Sequence, residues 1–170
     1  MTVTDLAALY DRHVNSLFAF LLPILRDEAD VHDVLQELFR DLSLHPNTLA
    51  GVRDERGYLL RWVQHRAIDQ IRRRQTRTRH VEAFRDEAVA NPFAPTDDPD
   101  ESTFRTRLAE ALDELPREQR AVVQLKLWEQ RTFEDIARIL DIPANTAASR
   151  YRYGLDKLRT RLRPLYEEIG

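Results

Sequence analysis

The stretch from Thr132 to Arg163, TFEDIARILDIPANTAASRYRYGLDKLRTRLR, limits what the chain can fold into more than any other. Two helical patterns flank a short break at Asp141-Ile142-Pro143. The first opens on Thr132, whose hydroxyl suits the free amides of a helix start, with Asp135 three residues on as a short-armed capping-box partner. Ile136, Ala137, Ile139 and Leu140 then share one face. In the second pattern Ala147, Tyr151, Leu155, Leu158 and Leu162 recur at steps of three or four, which is helical periodicity. Arg150, Arg152, Lys157, Arg159, Arg161 and Arg163 fill the remaining positions against one acid, Asp156. A short helix, a tight break and a longer basic helix form the pattern of a DNA-binding helix-turn-helix. An antiparallel helix pair with a solvated basic face has the same pattern, so the rest of the chain has to decide.

Charge is the first discriminator. The net charge of -3 over 170 residues averages segments of opposite sign. Residues 1–80 carry 12 basic and 11 acidic side chains, residues 81–115 carry 3 and 10, and residues 116–170 carry 11 and 8. Acidity is therefore concentrated in the middle, and the overall balance does not exclude a nucleic-acid partner. The chain has no cysteine, which removes disulfides and thiolate metal sites. No apolar run approaches the roughly 20 residues that span a bilayer, and Met1 to Tyr10 lacks the basic-then-apolar order of a secretory signal. A cytoplasmic protein without membrane insertion is the expectation. Four glycines and no alternating apolar stretch point to an all-helical fold.

A first helix is predicted from the cap Thr4-Asp5 through Leu6, Leu9, Tyr10, Val14, Leu17, Phe18 and Leu21, with Pro23 as its break or kink. Asp27 to Leu44 is the most regular amphipathic segment: Val31, Val34, Leu35, Leu38, Phe39 and Leu42 line one face, and Asp30, Asp33, Gln36, Glu37, Arg40 and Asp41 the solvated other. Glu28, His32 and Glu37 on this helix suggest a carboxylate–histidine metal set. A di-metal bundle needs matching groups on other helices, and the sequence offers none, so no metal or other cofactor is expected. Ser43 to Gly57, with Pro46, Asn47 and Gly51, reads as a loop. Tyr58 to Arg79 reads as a helix with Leu59, Trp62, Val63, Ala67, Ile68 and Ile71 inside, and it carries seven arginines against Asp69. That density attracts polyanions.

Residues 81–104, with Pro92, Pro95, Pro99 and the acidic run 96–101, read as a flexible linker with one or two helical turns around Val81 to Ala90. A helix is predicted from Thr103 to about Leu115, with Pro116 in the first turn of the next. Val122, Val123, Leu125, Leu127 and Trp128 form the apolar body of that helix, and Trp128 is expected in the core. Leu165, Tyr166 and Ile169 either extend the last helix beyond Pro164 or fray.

Two basic helical modules on an acidic tether narrow the field, and the module sequences resemble bacterial sigma factors of the small, two-domain extracytoplasmic-function (ECF) group. Asp33-Val34-Leu35-Gln36-Glu37-Leu38-Phe39 is similar to the family's D-[LV]-x-Q-[ED]-x-F segment, and Arg56 to Arg74 to its R-x-x-L…A-x-D-x-x-R-R-R stretch. Leu115-Pro116-Arg117-Glu118-Gln119-Arg120 resembles its L-P-x-x-x-R opening, and Glu134 to Ala137, Ile142-Pro143, Thr146, Ser149 and Arg150 its helix-turn-helix. The resemblance implies an all-α chain of two small helical domains. These are a sigma region 2-like bundle over 1–80 and a sigma region 4-like helix-turn-helix domain over 105–170, joined by the acidic linker 81–104.

It further implies that Asp33, Gln36, Glu37 and Arg40 dock on the clamp of core RNA polymerase. Arg56, Tyr58, Arg61, Trp62, His65, Arg66, Arg72, Arg73 and Arg74 would meet the start-proximal promoter element, with an everted base held by the loop Leu49 to Arg56. Asn145, Thr146, Ala148, Ser149, Arg150, Arg152 and Tyr153 would meet the upstream element in the major groove. Departures from the family pattern at Ala148, Tyr153, Leu155, Tyr58 and His65 leave the promoter sequence open.

The leading expectation is a sigma factor that has no active site of its own and is a monomer when free. It selects and opens promoters for core polymerase, under control of an anti-sigma protein or of its own linker or C-terminal tail, the acidic linker pairing with the arginines of 72–79. The alternative is a stand-alone helix-turn-helix regulator whose N-terminal helices mediate dimerisation or bind a signal. A third reading, an enzyme using Asp30, His32, Asp33 and Glu37 as acid–base groups, lacks any second cluster to face them.

Overall fold

The computed structural model describes residues 3–78 and 99–169, with side chains over 5–76 and 103–164. Among the described residues every regular element is an α-helix. The chain divides into two compact units, Met1–Ala88 and Val89–Gly170. The proposed linker up to residue 98, including the turns expected around Val81 to Ala90, lies outside the described residues.

The first unit holds α1 (Val3–Leu25), α2 (Glu28–Leu44) and α3 (Glu55–Thr78). Helix α1 runs through Pro23 instead of breaking there. The missing amide falls in the last turn, where only two residues follow, so little helix depends on it. The turn to α2 needs two residues. Arg26 takes the left-handed conformation (φ 58°) and its amide closes on the Leu22 carbonyl at 2.8 Å. Asp27 then caps α2 by accepting from the amides of Ala29 (2.8 Å) and Asp30 (3.3 Å).

One cap and one tie to α1 set the start of the third helix earlier in the chain than predicted. Asp54 accepts from the Gly57 amide at 2.9 Å, so helix begins at Glu55 rather than Tyr58. A Cβ on Gly57 would sit 2.1 Å from an Asp54 carboxylate oxygen, so any other residue there would make that carboxylate turn. His13 Nε2 and Arg12 lie 2.8 and 3.2 Å from Glu55 Oε1 and tie the start of α3 to α1. The core is the meeting of Leu17, Leu21 and Ile24 with Val31, Val34, Leu38 and Leu42 and with Leu59, Leu60, Val63 and Ala67.

The second unit holds α4 (Pro99–Asp113), α5 (Arg117–Leu127), α6 (Phe133–Leu140) and α7 (Ala144–Ile169). Helix α4 starts four residues before the expected Thr103, because Pro99 stands at the first helical position, where a proline costs no hydrogen bond. It also ends earlier, at Asp113. Pro116 is the residue before α5 rather than inside its first turn. Helix α7 continues through Pro164 to Ile169. Ala111, Leu112, Leu115, Val123, Leu158 and Leu162 form one buried cluster. Gly154 lets α7 approach α5 closely, since a Cβ there would meet Val123 Cγ2 at 2.8 Å.

Trp128 and Leu127 are not core: they are 44% and 46% exposed. Arg120 to Val123 are buried all round α5, whereas Leu127 is its last residue and Trp128 its C-cap, so the two stand where the helix end leaves cover.

The capping box read from Thr132 and Asp135 is formed. The Asp135 amide donates to Thr132 Oγ1 (3.1 Å), and the Thr132 amide and hydroxyl donate to Asp135 Oδ2 (3.3 and 2.8 Å). Thr132, with Arg138 and Arg131 assisting, holds the Asp135 carboxyl below its usual range against the opposing effect of burial. The unfolded chain therefore takes up this proton first on acidification. The cap's contribution is complete above about pH 4 and is lost as pH falls through the folded-state value. Asp135→Asn is expected to lower the stability of the second unit by about 1 kcal/mol at neutral pH. Urea unfolding read by Trp128 fluorescence in a Trp62→Phe background should show that difference shrinking at pH 3, and a pH-independent difference would refute the assignment.

Candidate nucleic-acid interface

The helix-turn-helix break is closed by Asp141, which adopts the left-handed conformation (φ 55°) while its amide and that of Ile142 both reach the Ala137 carbonyl. Ile136, Ile139 and Ala147 are buried at the junction of α6 and α7. Phe133 packs edge-on to Tyr151 at 5.7 Å, and Lys126 sits 4.7 Å over the Phe133 ring. These contacts fix the first two turns of α7 against α5 and α6.

Of the upstream candidates, Asn145, Arg152 and Tyr153 are exposed, and Thr146, Ala148, Ser149 and Arg150 are partly buried. The Arg152 guanidinium lies 5.2 Å over the Tyr153 ring, which is 53% exposed. The two side chains therefore present one stacked cationic surface. The Ser149 hydroxyl donates to the Asn145 carbonyl at 2.9 Å, and it keeps its oxygen lone pairs available. Arg150 is drawn back to Glu118 of α5 at 3.2 Å, which gives it a partner inside the chain. Glu118 carried no sequence signal for this role.

In the first unit α3 presents three sides. Leu59, Leu60, Val63 and Ala67 face the core; Arg61, His65 and Arg72 are exposed on the opposite side. Arg66 and Arg73 lie on the flank towards α2, together with Gln70, which the motif did not single out. Arg56, in the first turn of α3, and Tyr58 and Trp62 are partly buried. The candidate polymerase set is brought together: Asp33, Gln36, Glu37 and Arg40 line a groove of about 550 Å³, and its other wall is Arg66, Gln70 and Arg73. Two sets assigned to different partners thus share one depression.

Two ion pairs cross from α2 to α3. Arg66 Nε donates to Glu37 Oε2, and both side chains are about one-third exposed, 33% and 32%. This bond holds Glu37 below the ordinary carboxylate range and raises Arg66 above its own. The second pair corrects the sequence reading. Asp30, expected on the solvated face, is 5% exposed and bonds Arg74. Burial pushes the Asp30 carboxyl up, Arg74 opposes the rise, and Asp27 and Asp33 add to it. Arg74 sits seven residues after Ala67, on the core side of α3, so it points at α2 and not outward like Arg72. Among the described residues no three His, Asp or Glu side chains are placed to hold a metal, and Glu28 and His32 stand exposed apart from the Glu37 pair. No helix among them is long and apolar enough to cross a membrane.

Comparison with known proteins decides the family. The model of sigma-70 region 2 matches residues 9–77, and that of sigma-70 region 4 matches residues 105–158. The ECF RNA polymerase sigma factor SigL of Mycobacterium tuberculosis is 31% identical over 159 residues, which is 93% of this chain and 89% of that protein. The chain belongs to the ECF sigma factors. SigX of Bacillus subtilis is 27% identical over 165 residues, covering 95% of this chain and 85% of its own. Among solved structures, the sigma factor RpoE of Bartonella quintana, in complex with the anti-sigma factor NepR, superposes with a TM-score of 0.77 at 19% identity over 95% of this chain and 98% of that one. This ECF chain is thus an initiation factor that gives RNA polymerase its promoter choice. Nothing supports the stand-alone regulator.

Proposed function

We propose that this ECF sigma factor binds core polymerase through Asp33, Gln36, Glu37 and Arg40 of α2. In this reading the outward side of α3 meets the start-proximal promoter element with Arg61, His65 and Arg72, and α7 meets the upstream element with Asn145, Ser149, Arg152 and Tyr153. Arg150 and Arg74, already paired inside their units, steady those surfaces. The loop between α2 and α3, where Gly51 takes the left-handed conformation (φ 79°), would hold the unstacked base. The observation that carries this reading is the division of α3 into a core side, a flank facing α2 and an outward cationic side, which lets one helix serve both partners. An anti-sigma protein is proposed as a second protein partner, by likeness to the RpoE–NepR complex.

The test is reconstitution. Core polymerase with this chain should initiate at a small set of promoters, identified by mapping the transcripts that appear when the chain is overproduced. Replacing Asp33 and Gln36 by lysine should abolish capture of core polymerase. Failure of the wild-type mixture to start at any promoter of the source genome would defeat the assignment.

A further inference from the structure

The α2–α3 groove pairs an acid from the polymerase-facing set with an arginine from the DNA-facing set. We propose that Glu37 is a shared ligand: in the free chain it holds Arg66, and a cationic group of the polymerase that takes Glu37 releases Arg66 to a DNA phosphate. The proposal rests on the assignment of the two helix faces given above.

The geometry supplies what such an exchange needs. The pair is reachable, because Glu37 and Arg66 are each about one-third exposed and line an open groove. The neighbouring Asp30–Arg74 pair has an acid that is almost wholly buried, so no partner can compete for it. Arg66 is a long side chain on the groove wall of α3 and one-third exposed, so rotation about its side-chain bonds can carry the guanidinium away from Glu37 towards the groove mouth. Glu37 lies close enough to Arg40 and Arg73 to feel their charge as well, so losing Arg66 leaves it partly compensated.

The consequence is linkage. A ligand of Glu37 and a ligand of Arg66 each remove the other's competitor, so polymerase and DNA bind this unit with positive cooperativity, and by reciprocity in either order. The free chain is correspondingly a weaker DNA ligand than its arginine count implies. A partly exposed pair sets the size of the effect at about 3- to 10-fold.

The experiment uses the full chain, without polymerase, and a short fluorescein-labelled single-stranded oligonucleotide read by anisotropy at low salt. Glu37→Gln and Glu37→Ala are expected to bind about 3- to 10-fold tighter than the wild type. In an Arg66→Gln background, removing the Glu37 charge should change affinity less than about twofold, because the released ligand is gone. Equal gains in both backgrounds would reduce the effect to net charge and overturn the proposal, as would no gain at all. Arg61→Gln with Arg72→Gln separates the two levels. If that pair weakens binding while Glu37→Gln changes nothing, the coupling fails and the DNA-facing role of α3 stands. If that pair also changes nothing, the assignment of α3 itself fails and takes the proposal with it. Urea unfolding of every variant shows whether the fold is intact, and the two different Glu37 replacements guard against an effect peculiar to one side chain.

Discussion

Replacing Arg120 with alanine should remove about 3–4 kcal/mol from the stability of the second unit, the largest loss expected from any single polar side chain in it. Arg120 is 2% exposed. Its Nη1 donates to Asp113 Oδ1 at 2.9 Å, and its Nη2 donates to the backbone carbonyls of Asp113 and of Leu115, the latter at 3.0 Å. One guanidinium thus serves the end of α4 and the turn that crosses Pro116, where carbonyls have no amide of their own helix to meet. Truncation leaves those acceptors without their charged donor, leaves Asp113 without this cation and opens a void between α4 and α5. Lysine keeps the charge but not the fork, so Arg120→Lys should retain only part of the loss-free state and cost roughly half as much. The measurement is urea unfolding followed by Trp128 in a Trp62→Phe background, which silences the first unit's tryptophan. A cost below about 1 kcal/mol for Arg120→Ala would mean that water replaces the guanidinium there.

Arg120 also shows what periodicity can and cannot deliver. As the last residue of the L-P-x-x-x-R opening it was visible as a motif member, but an arginine in a polar pattern carries no mark of burial. The helices themselves were legible because apolar residues recur at three and four. Thr132 with Asp135 was legible because a capping box is a local event between residues three apart. The helix starts at Glu55 and Pro99 were missed for a related reason. The amide accepted by Asp54 belongs to a glycine that reads as a loop signal, and the proline that opens α4 reads as a breaker unless its position in the first turn is known.

Asp30 and Glu118 were missed because their partners, Arg74 and Arg150, are 44 and 32 positions away. Arg74 could have been separated from Arg72 and Arg73, since it falls on the Val63–Ala67 side of the wheel; a run of three arginines looks uniform only in one dimension. Trp128 erred in the opposite direction, an aromatic assigned to the core by type although it stands just past the last residue of α5 and is 44% exposed. The candidate interfaces were thus readable as lists of residues and unreadable as surfaces.

Reversing Arg61 and Arg72 to glutamate should cut promoter binding by the assembled holoenzyme about 100-fold, or about 2.7 kcal/mol, while leaving capture of core polymerase unchanged. Both side chains are exposed on the side of α3 opposite its core residues, eleven positions apart and so nearly in line along the helix. Neither lines the groove shared with α2, which is why their loss should spare the polymerase contact. Each arginine that neutralises a phosphate of a single strand adds about 0.7 to the slope of log affinity against log salt, so two lost contacts should flatten that slope by about 1.4. The reversed charges add repulsion on top of the lost attraction, which carries the effect beyond that of neutral replacements. His65 lies between the two on the same stripe, one turn from Arg61, and offers a ring beside the cations on which an unpaired base can stack. The check is a salt titration of holoenzyme on a promoter mapped by overproduction, with the wild type and the double variant side by side. An unchanged slope would show that the outward side of α3 meets no phosphate, and that the acidic groove wall and the cationic stripe serve a single protein partner instead of two different ones.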